Sequence, residues 1–273
     1  MSFKINDIPI TVTMFPDNTS QVWKIPEKIM LAYDNNIYWD YSHEGEIVHL
    51  AQIVDLLRTK QNKEIRLEID YLPYARQDKE ISNTTTFAGK SFARLLNSLN
   101  IEDILILDPH SKESINCIEN HWEVKPTKFI KWTEEEVKPD IICFPDKGAW
   151  DRYMWYNNKK SIYAEKVRNQ LTGQIESVKV HGDVKDKVVL IVDDICDGGA
   201  TFINLAKVLL EQGAKEVNLY VTHGIFSKGL KVLTDAGITR VFTKNGEITE
   251  QWSNGYGYER SITYQPWKKE NNK

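Results

Sequence analysis

The chain has 273 residues, 41% hydrophobic and 27% charged, with 35 Lys and Arg against 39 Asp and Glu and a formal net charge of -4; that length admits one large domain or two small ones. The charge excludes a general nucleic-acid binder, and no apolar run reaches membrane-spanning length. The N-terminal MSFKINDIPITVTMF lacks the charged start and long apolar core of a signal peptide, and Cys117, Cys143 and Cys196 form neither a disulfide framework nor a metal-ligand spacing, so a cytoplasmic protein with no nucleic-acid and no membrane partner is expected.

In chain order, Ile8 to Val12 alternate as a strand and Phe15-Pro16-Asp17-Asn18 reads as a turn. Val22 to Tyr38 reads as strand and loop. From Ile47 the period becomes helical, with Ile47, Leu50, Ala51, Val54 and Leu57 on one face; His49 falls off that stripe and is expected in solvent. Ile65 to Ile69 is a strand. The loop after it, Tyr71 to Lys79, is dense in side chains that recognise polar ligands, although a salt-bridged surface turn has the same composition. A helix follows with Phe92, Leu95, Leu96 and Leu99 inward. Asp103 to Leu107 is a strand ending in Asp108-Pro109-His110. Ligands of open α/β sheets gather at the carboxyl ends of strands, which puts His110 at a favourable place. Residues 111–139 are polar and mixed and mark a domain boundary; Glu134 to Glu136 reads as a solvated face.

The second half repeats this grammar. Ile141 to Phe144 is a strand followed by Pro145-Asp146-Lys147-Gly148. Trp150 to Tyr156 is aromatic and carries Arg152. Ser161 to Ala164 is extended, and Glu165 to Gln170, polar without an apolar face, reads as a mobile loop. His181-Gly182-Asp183-Val184 leads into Val188 to Val192, an unbroken β-branched run of the kind buried on both faces of a parallel sheet. Asp193 and Asp194 come next, then a loop from Ile195 to Ala200. A helix from Thr201 has Phe202, Leu205, Ala206 and Leu209 on one face and Gly213 where a left-handed cap belongs. Val217 to Val221 is a strand ending in Thr222-His223-Gly224. Alternating strands and helices in both halves predict an α/β fold with mainly parallel sheets: an N-terminal domain over 1–139, a C-terminal domain over 140–258, and a partly disordered tail over 259–273.

The stretch around Asp193 has specific chemistry. A glycine loop running into a helix N-terminus presents free N–H groups and the positive end of a dipole, which together cradle a phosphate. Two carboxylates beside a phosphate would repel it, so ribose hydroxyls or a hydrated Mg²⁺ suit them better. An acidic helix cap after a core strand is the bland alternative.

Several motifs in order carry a resemblance. Lys187 to Phe202 resembles the phosphoribosyl-pyrophosphate (PRPP) motif of type I phosphoribosyltransferases and ribose-phosphate pyrophosphokinases. PYARQD (Pro73 to Asp78), LILDPH (Leu105 to His110), FPDKGA (Phe144 to Ala149), EKVR (Glu165 to Arg168), GDV (Gly182 to Val184) and THGIFS (Thr222 to Ser227) resemble the pyrophosphokinases specifically. The resemblance implies two related phosphoribosyltransferase-like α/β domains with the active site between them. It implies transfer of the β,γ-diphosphate of ATP to the 1-hydroxyl of ribose 5-phosphate, with AMP leaving. On it, Phe15, Asp17, Arg76, Gln77 and Asp78 would bind ATP, and His110 and Asp146 would hold Mg²⁺. Asp193 and Asp194 would hold ribose hydroxyls, and Asp197, Gly198, Gly199, Ala200 and Thr201 the 5-phosphate. Lys166, Arg168 and His110 would be catalytic. A homo-oligomer built from dimers, as large as a hexamer, is the family habit.

The chain departs from the family pattern. Gly198 stands where a loop threonine is expected, Ala200 and Ala149 where glycines are expected, and Trp150 to Tyr156 is short and aromatic. A lost hydroxyl donor and added space suit a phosphodiester, so the acceptor stands open between ribose 5-phosphate and ADP-ribose, the latter in NAD metabolism, with Trp150, Tyr153 or Trp155 as a stacking platform or as core. A type I phosphoribosyltransferase and a non-catalytic regulator that assembles with synthetases are the remaining readings.

Overall fold

The computed structural model describes residues 2–32, 34–61, 64–156, 160–168, 175–252 and 260–265. The chain packs as two units, Met1–Lys125 and Pro126–Lys273, where the sequence reading divided it at 139/140. Each is a mainly parallel α/β layer structure.

The first unit begins with β1 (Phe3–Ile5), β2 (Ile8–Pro9), the hairpin β3 (Thr13–Met14) and β4 (Ser20–Gln21), and the short helix α1 (Glu27–Met30). There follow β5 (Asn35–Trp39), α2 (Glu46–Gln61), β6 (Ile65–Ile69), α3 (Ala88–Asn97), β7 (Asp103–Leu107), α4 (Lys112–Ile115) and β8 (His121–Val124). The sheet order is β2-β1-β5-β6-β7-β8, parallel from β5 to β8. Alternating burial along β6 places Ile65, Leu67 and Ile69 in the core.

Four expectations in this unit are corrected. The first alternating segment pairs only over Ile8–Pro9, where Pro9 has no N–H to extend the ladder. Helix α1 lies in the stretch read as strand and loop. His49 is not in solvent: it is 6% exposed, hydrogen-bonded to Ser20 Oγ at 2.6 Å and set edge-on to Phe3. The cause is a second packing surface, because β4 lies over α2, with Val22 N–H donating to Gln52 Oε1 and Gln52 Nε2 to Ser20 O. On α3 the buried face is Gly89, Phe92, Ala93 and Leu96, while Leu95 is 55% exposed; the small Ala93, not Leu95, faces the sheet.

The second unit contains α5 (Thr127–Val137), β9 (Ile141–Phe144), α6 (Lys147–Tyr153), β10 (Ser161–Arg168), β11 (Ile175–Val180), β12 (Val188–Cys196) and α7 (Ala200–Glu211), then β13 (Glu216–Gly224), α8 (Lys231–Thr234), β14 (Ile238–Thr243), β15 (Gly246–Trp252) and β16 (Arg260–Gln265). The sheet order is β11-β10-β9-β12-β13-β14-β15-β16, parallel from β10 to β14 and antiparallel at both margins. The central strand β12 is covered on both faces. Val189 and Ile191 join a core with Phe202, Leu205, Ala206 and Leu209 of α7. Leu190 and Val192 join another with Ile130 of α5 and Ala149 and Tyr153 of α6. That two-sided burial is why the run reads as continuously apolar. Helix α7 ends as expected: Gly213 is left-handed (φ +87°), its N–H reaches Leu210 O, and Ala214 N–H reaches Leu209 O, the paired bonds of a Schellman cap.

Corrections here concern polar segments. Glu165 to Arg168 is not a loop but the end of β10, paired with β11 through Glu165↔Lys179, Lys166↔Val178, Val167↔Ser177 and Arg168↔Ile175; residues 169 and 170 lie outside the described ones. Glu165 to Arg168 holds a single apolar residue, Val167, so the sequence offers no alternation to mark a strand there. Glu134 is not solvated: it is 9% exposed and accepts from the Tyr156 hydroxyl at 2.5 Å. Strand β12 runs on through Asp193, Asp194 and Ile195 to Cys196.

Ile191→Ala, at a fully buried position of β12, is expected to lower unfolding free energy by about 2–5 kcal/mol, the cost of a large-to-small core change. Urea unfolding measures it; a loss below about 1 kcal/mol would contradict the two-sided core.

Candidate functional site

The acidic pair stands at the carboxyl end of β12. Asp193 keeps 17% side-chain exposure and Asp194 only 2%. Helix α6 lies across this end of the sheet and delivers Arg152, whose Nη1 stands 2.5 Å from Asp194 Oδ1 and 3.5 Å from Asp193 Oδ1. Burial raises the Asp193 carboxyl well above its ordinary value of 3.8, and the neighbouring charge of Asp194 raises it further; Arg152 opposes both without cancelling them. The pair is thus a charged group held at a cost, with one cation behind it.

Beyond Cys196 the chain turns through Asp197, Gly198 and Gly199 into α7. Gly199 is the residue before the helix, with φ +77°, and a Cβ there would stand 2.8 Å from Leu233 Cδ2, so both backbone and packing require glycine. No side chain caps α7, in contrast to α6, where Asp146 accepts from Ala149 N–H at 3.0 Å. The first N–H groups of α7, at Ala200 and Thr201, therefore lie at an uncapped positive helix end, the chemistry of an anion site.

A second turn braces this loop. Ile225 N–H (2.8 Å) and Phe226 N–H (3.2 Å) both donate to Cys196 O, and Ser227 Oγ donates to Asp197 Oδ1 at 2.6 Å. Phe226 has φ +48° and folds over Gly224, where a Cβ would meet its ring at 1.9 Å. This gives Thr222 to Ser227 a function the sequence reading left blank: the segment fixes the exit of β12. Arg152 is a further residue of this site to which the sequence alone assigns no role. Its signal was its place on the helix after Pro145-Asp146, one strand over from the acidic pair, since β9 and β12 are parallel neighbours.

The other expected residues divide by unit. Asp146 is a half-buried carboxylate at the end of β9. In the first unit, Leu72 and Ala75 anchor the loop after β6 in the core and leave Arg76 and Gln77 exposed, with Asp78 half-buried. Tyr74, at φ +59°, sends its hydroxyl to Glu44 Oε2 at 2.7 Å. His110 is half-buried after β7. Phe15 and Asp17 occupy the β3–β4 turn; Phe15 leans on Trp23, and Asp17 accepts from Thr19 N–H and Oγ1, which holds its carboxyl below the usual range. The side chains of Lys166 and Arg168 lie outside the described residues. Of the aromatic candidates for stacking, Tyr153 is core, 1% exposed and stacked on Phe144; Trp150 is half-buried between Phe144 and Tyr163; Trp155 is 38% exposed. Among the described residues no three His, Cys, Asp or Glu side chains form a metal cage, and no helix is long and apolar enough to cross a membrane.

The chain is similar to known proteins over most of its length. The phosphoribosyl transferase domain model matches residues 156–260. A ribose-phosphate pyrophosphokinase of Mycoplasmopsis pulmonis is 32% identical over 238 residues, covering 84% of this chain and 73% of its own. One from Thermococcus kodakarensis is 31% identical and covers 69% of each; one from Saccharolobus solfataricus is 24% identical, covering 89% and 87%. In fold, the chain resembles the phosphoribosylpyrophosphate synthetase of Mycobacterium smegmatis with a TM-score of 0.66 at 22% identity, over 86% of this chain and 79% of that one.

The raised Asp193 carboxyl sets a pH dependence. A group bound more tightly to its proton in the folded state contributes stability below its ordinary value of 3.8 and loses it as pH rises through the folded value. Asp193→Asn is therefore expected to melt higher than the parent at pH 7, with the gap closing as pH falls to about 4, near the unfolded carboxylate value. Thermal melts across that range test it; a variant less stable at pH 7 would contradict the assignment.

Proposed function

Because the chain belongs to the ribose-phosphate pyrophosphokinase family, we propose that it transfers the β,γ-diphosphate of ATP to the 1-hydroxyl of ribose 5-phosphate, forming PRPP and releasing AMP. The observation that carries this reading is the strand end where Asp193 and Asp194, backed by Arg152, run into an uncapped helix N-terminus. Vicinal ribose hydroxyls donate to the two carboxylates, and the N–H groups at the start of α7 receive the 5-phosphate. Arg152 lets the carboxylates sit charged beside that phosphate. Sugar and phosphate are thereby fixed as one rigid body, which leaves the 1-hydroxyl oriented for attack.

On the ATP side, Arg76, Gln77 and Asp78 present the polar groups of a nucleotide loop whose backbone is anchored by Leu72 and Ala75. Phe15 and Asp17 sit on a turn stiffened by the Thr19 bonds, suited to reaching a nucleotide held by another copy of the chain; a homo-oligomer is part of the proposal. The donor set fits Mg²⁺, which takes one or two carboxylates and fills the rest of its shell with water and substrate phosphates. Asp146, a part-exposed hard oxygen donor steered by its bond from Ala149, would hold it. Mg²⁺ bound there neutralises charge on the phosphates in transfer. Lys166 and Arg168, at the end of β10, would supply further positive charge at the β-phosphorus. A cytoplasmic location is part of the proposal.

The alternatives fit less well. A phosphoribosyltransferase accounts for residues 156–260 and leaves the first unit without a task. The extended-acceptor reading loses Tyr153, a core residue, and the space at Gly198, which the Lys228 side chain lines.

Incubation with Mg-ATP and either ribose 5-phosphate or ADP-ribose is expected to release AMP and form a product of PRPP mass from ribose 5-phosphate. Product from ADP-ribose alone would overturn the acceptor, and no AMP release with either would overturn the reaction. Lys166→Ala and Arg168→Ala are each expected to lower kcat at least ~100-fold, the effect of one oriented charge donor; near-normal turnover by either removes that residue from the chemistry.

A further inference from the structure

Gly198 is the loop position where a hydroxyl donor to the phosphate is absent. Its φ lies outside the left-handed region, so its backbone does not call for glycine. A Cβ there would stand 3.4 Å from Lys228 Cε, 3.5 Å from Cδ and 3.7 Å from Cγ. Those are ordinary van der Waals distances: the lysine stem lies along the face that a side chain at 198 would occupy, with its last methylene nearest. The ammonium is thereby carried to the loop.

The backbone bearing Lys228 is tied to this loop on one side and closed into its own turn on the other. Ser227 is tied to Asp197 at 2.6 Å, and Gly229, left-handed at φ +80°, donates to Phe226 O at 2.8 Å. Lys228 itself is exposed and, among the described residues, makes no hydrogen bond or ion pair. Other lysines of this unit are engaged: Lys231 with Asp235 at 2.6 Å, Lys187 with Asp183 at 2.9 Å and Lys147 with Asp151 at 2.8 Å. A cation without a carboxylate, laid over a phosphate loop that has no side-chain donor at position 198, has an anion as its natural partner.

We propose that Lys228 binds the 5-phosphate of the acceptor and determines the loop's affinity for it, supplying from the second turn the donor that position 198 lacks. This rests on the assignment of the loop to a ribose phosphate. The shared ligand chemistry is a 5-phosphorylated ribose, whether monoester or diester.

The test is calorimetric binding of ribose 5-phosphate and of ADP-ribose, which needs no turnover, followed by KM for acceptor and for ATP. Lys228→Met, which keeps the stem and removes the charge, is expected to weaken binding of the preferred acceptor about 10- to 100-fold, the value of one charge-assisted hydrogen bond. KM for ATP and the melting temperature stay within error of the parent. Lys228→Arg keeps most of the affinity, and adding Gly198→Thr to Lys228→Met recovers part of the loss. With ribose 5-phosphate, parent affinity falls as the phosphate takes its second proton near pH ~6, and Lys228→Met flattens that dependence; a diester shows no such step. Unchanged acceptor affinity in Lys228→Met, or an equal loss for ATP, overturns the proposal. A parent that binds ribose phosphate without forming product refutes the diphosphokinase reading and still scores Lys228; a parent that binds neither acceptor refutes both.

Discussion

Two carboxylates at successive positions of a strand covered on both faces cannot both hold charge without a cation against them. Arg152 stands within 3.5 Å of each, and much of the second unit follows from that contact. It requires a helix crossing the end of the sheet, which α6 provides once Asp146 caps it, and it requires β9 and β12 to be neighbours. A buried pair of this kind adds little net stability, yet losing one partner costs about 3–5 kcal/mol by stranding the other charge. The balance here is deliberately uneven: Asp193 remains above its ordinary carboxylate range even with Arg152 present. On the proposed function, a sugar that donates two hydroxyls would relieve what the protein alone leaves unrelieved.

Three chain segments meet at this end of the sheet, each from the loop after a different strand. The turn after β9 starts α6 and brings Asp146 and Arg152. The turn after β12 starts α7 and brings the glycine loop. The turn after β13 brings Ser227 and Lys228 and, through Cys196 O, fixes where β12 ends. This is the general behaviour of open parallel sheets, whose carboxyl ends collect ligands because the loops there are short, adjacent and rigidly based. The glycines at 199 and 224 serve closeness as much as flexibility, since Leu233 and the Phe226 ring occupy the places their side chains would take.

Legibility in the sequence followed locality. Ile65–Ile69, Asp103–Leu107 and Ile141–Phe144 match their strands residue for residue, because apolar runs bounded by turn residues carry their own limits. The cap at Gly213 was equally readable, since a left-handed residue after a helix is a local demand. What depended on a partner from elsewhere was not readable. His49 looked solvent-facing because the stripe of α2 shows only one of its two packing surfaces, and Ser20 closes the other. Leu95 looked buried by hydrophobicity, whereas the buried face of α3 selected Ala93. Arg152 and Lys228 were anonymous cations until the turns that carry them were folded against the acidic pair and Gly198. The motif of the glycine loop was visible; the cations that the fold sets beside it were not.

The central claim is that the acidic pair receives the ribose, and proton linkage on binding tests it most directly. Hydroxyls donating to Asp193 and Asp194 favour their charged forms, so the raised carboxyl must release protons when the acceptor binds. Calorimetric titration of ribose 5-phosphate in two buffers of different ionisation enthalpy, repeated at a series of pH values above the ordinary carboxylate range, counts them. The account predicts a larger release from the parent than from Asp193→Asn, with the phosphate's own contribution common to both. Equal release from the two proteins would mean that the sugar does not reach the acidic pair, and would contradict the account.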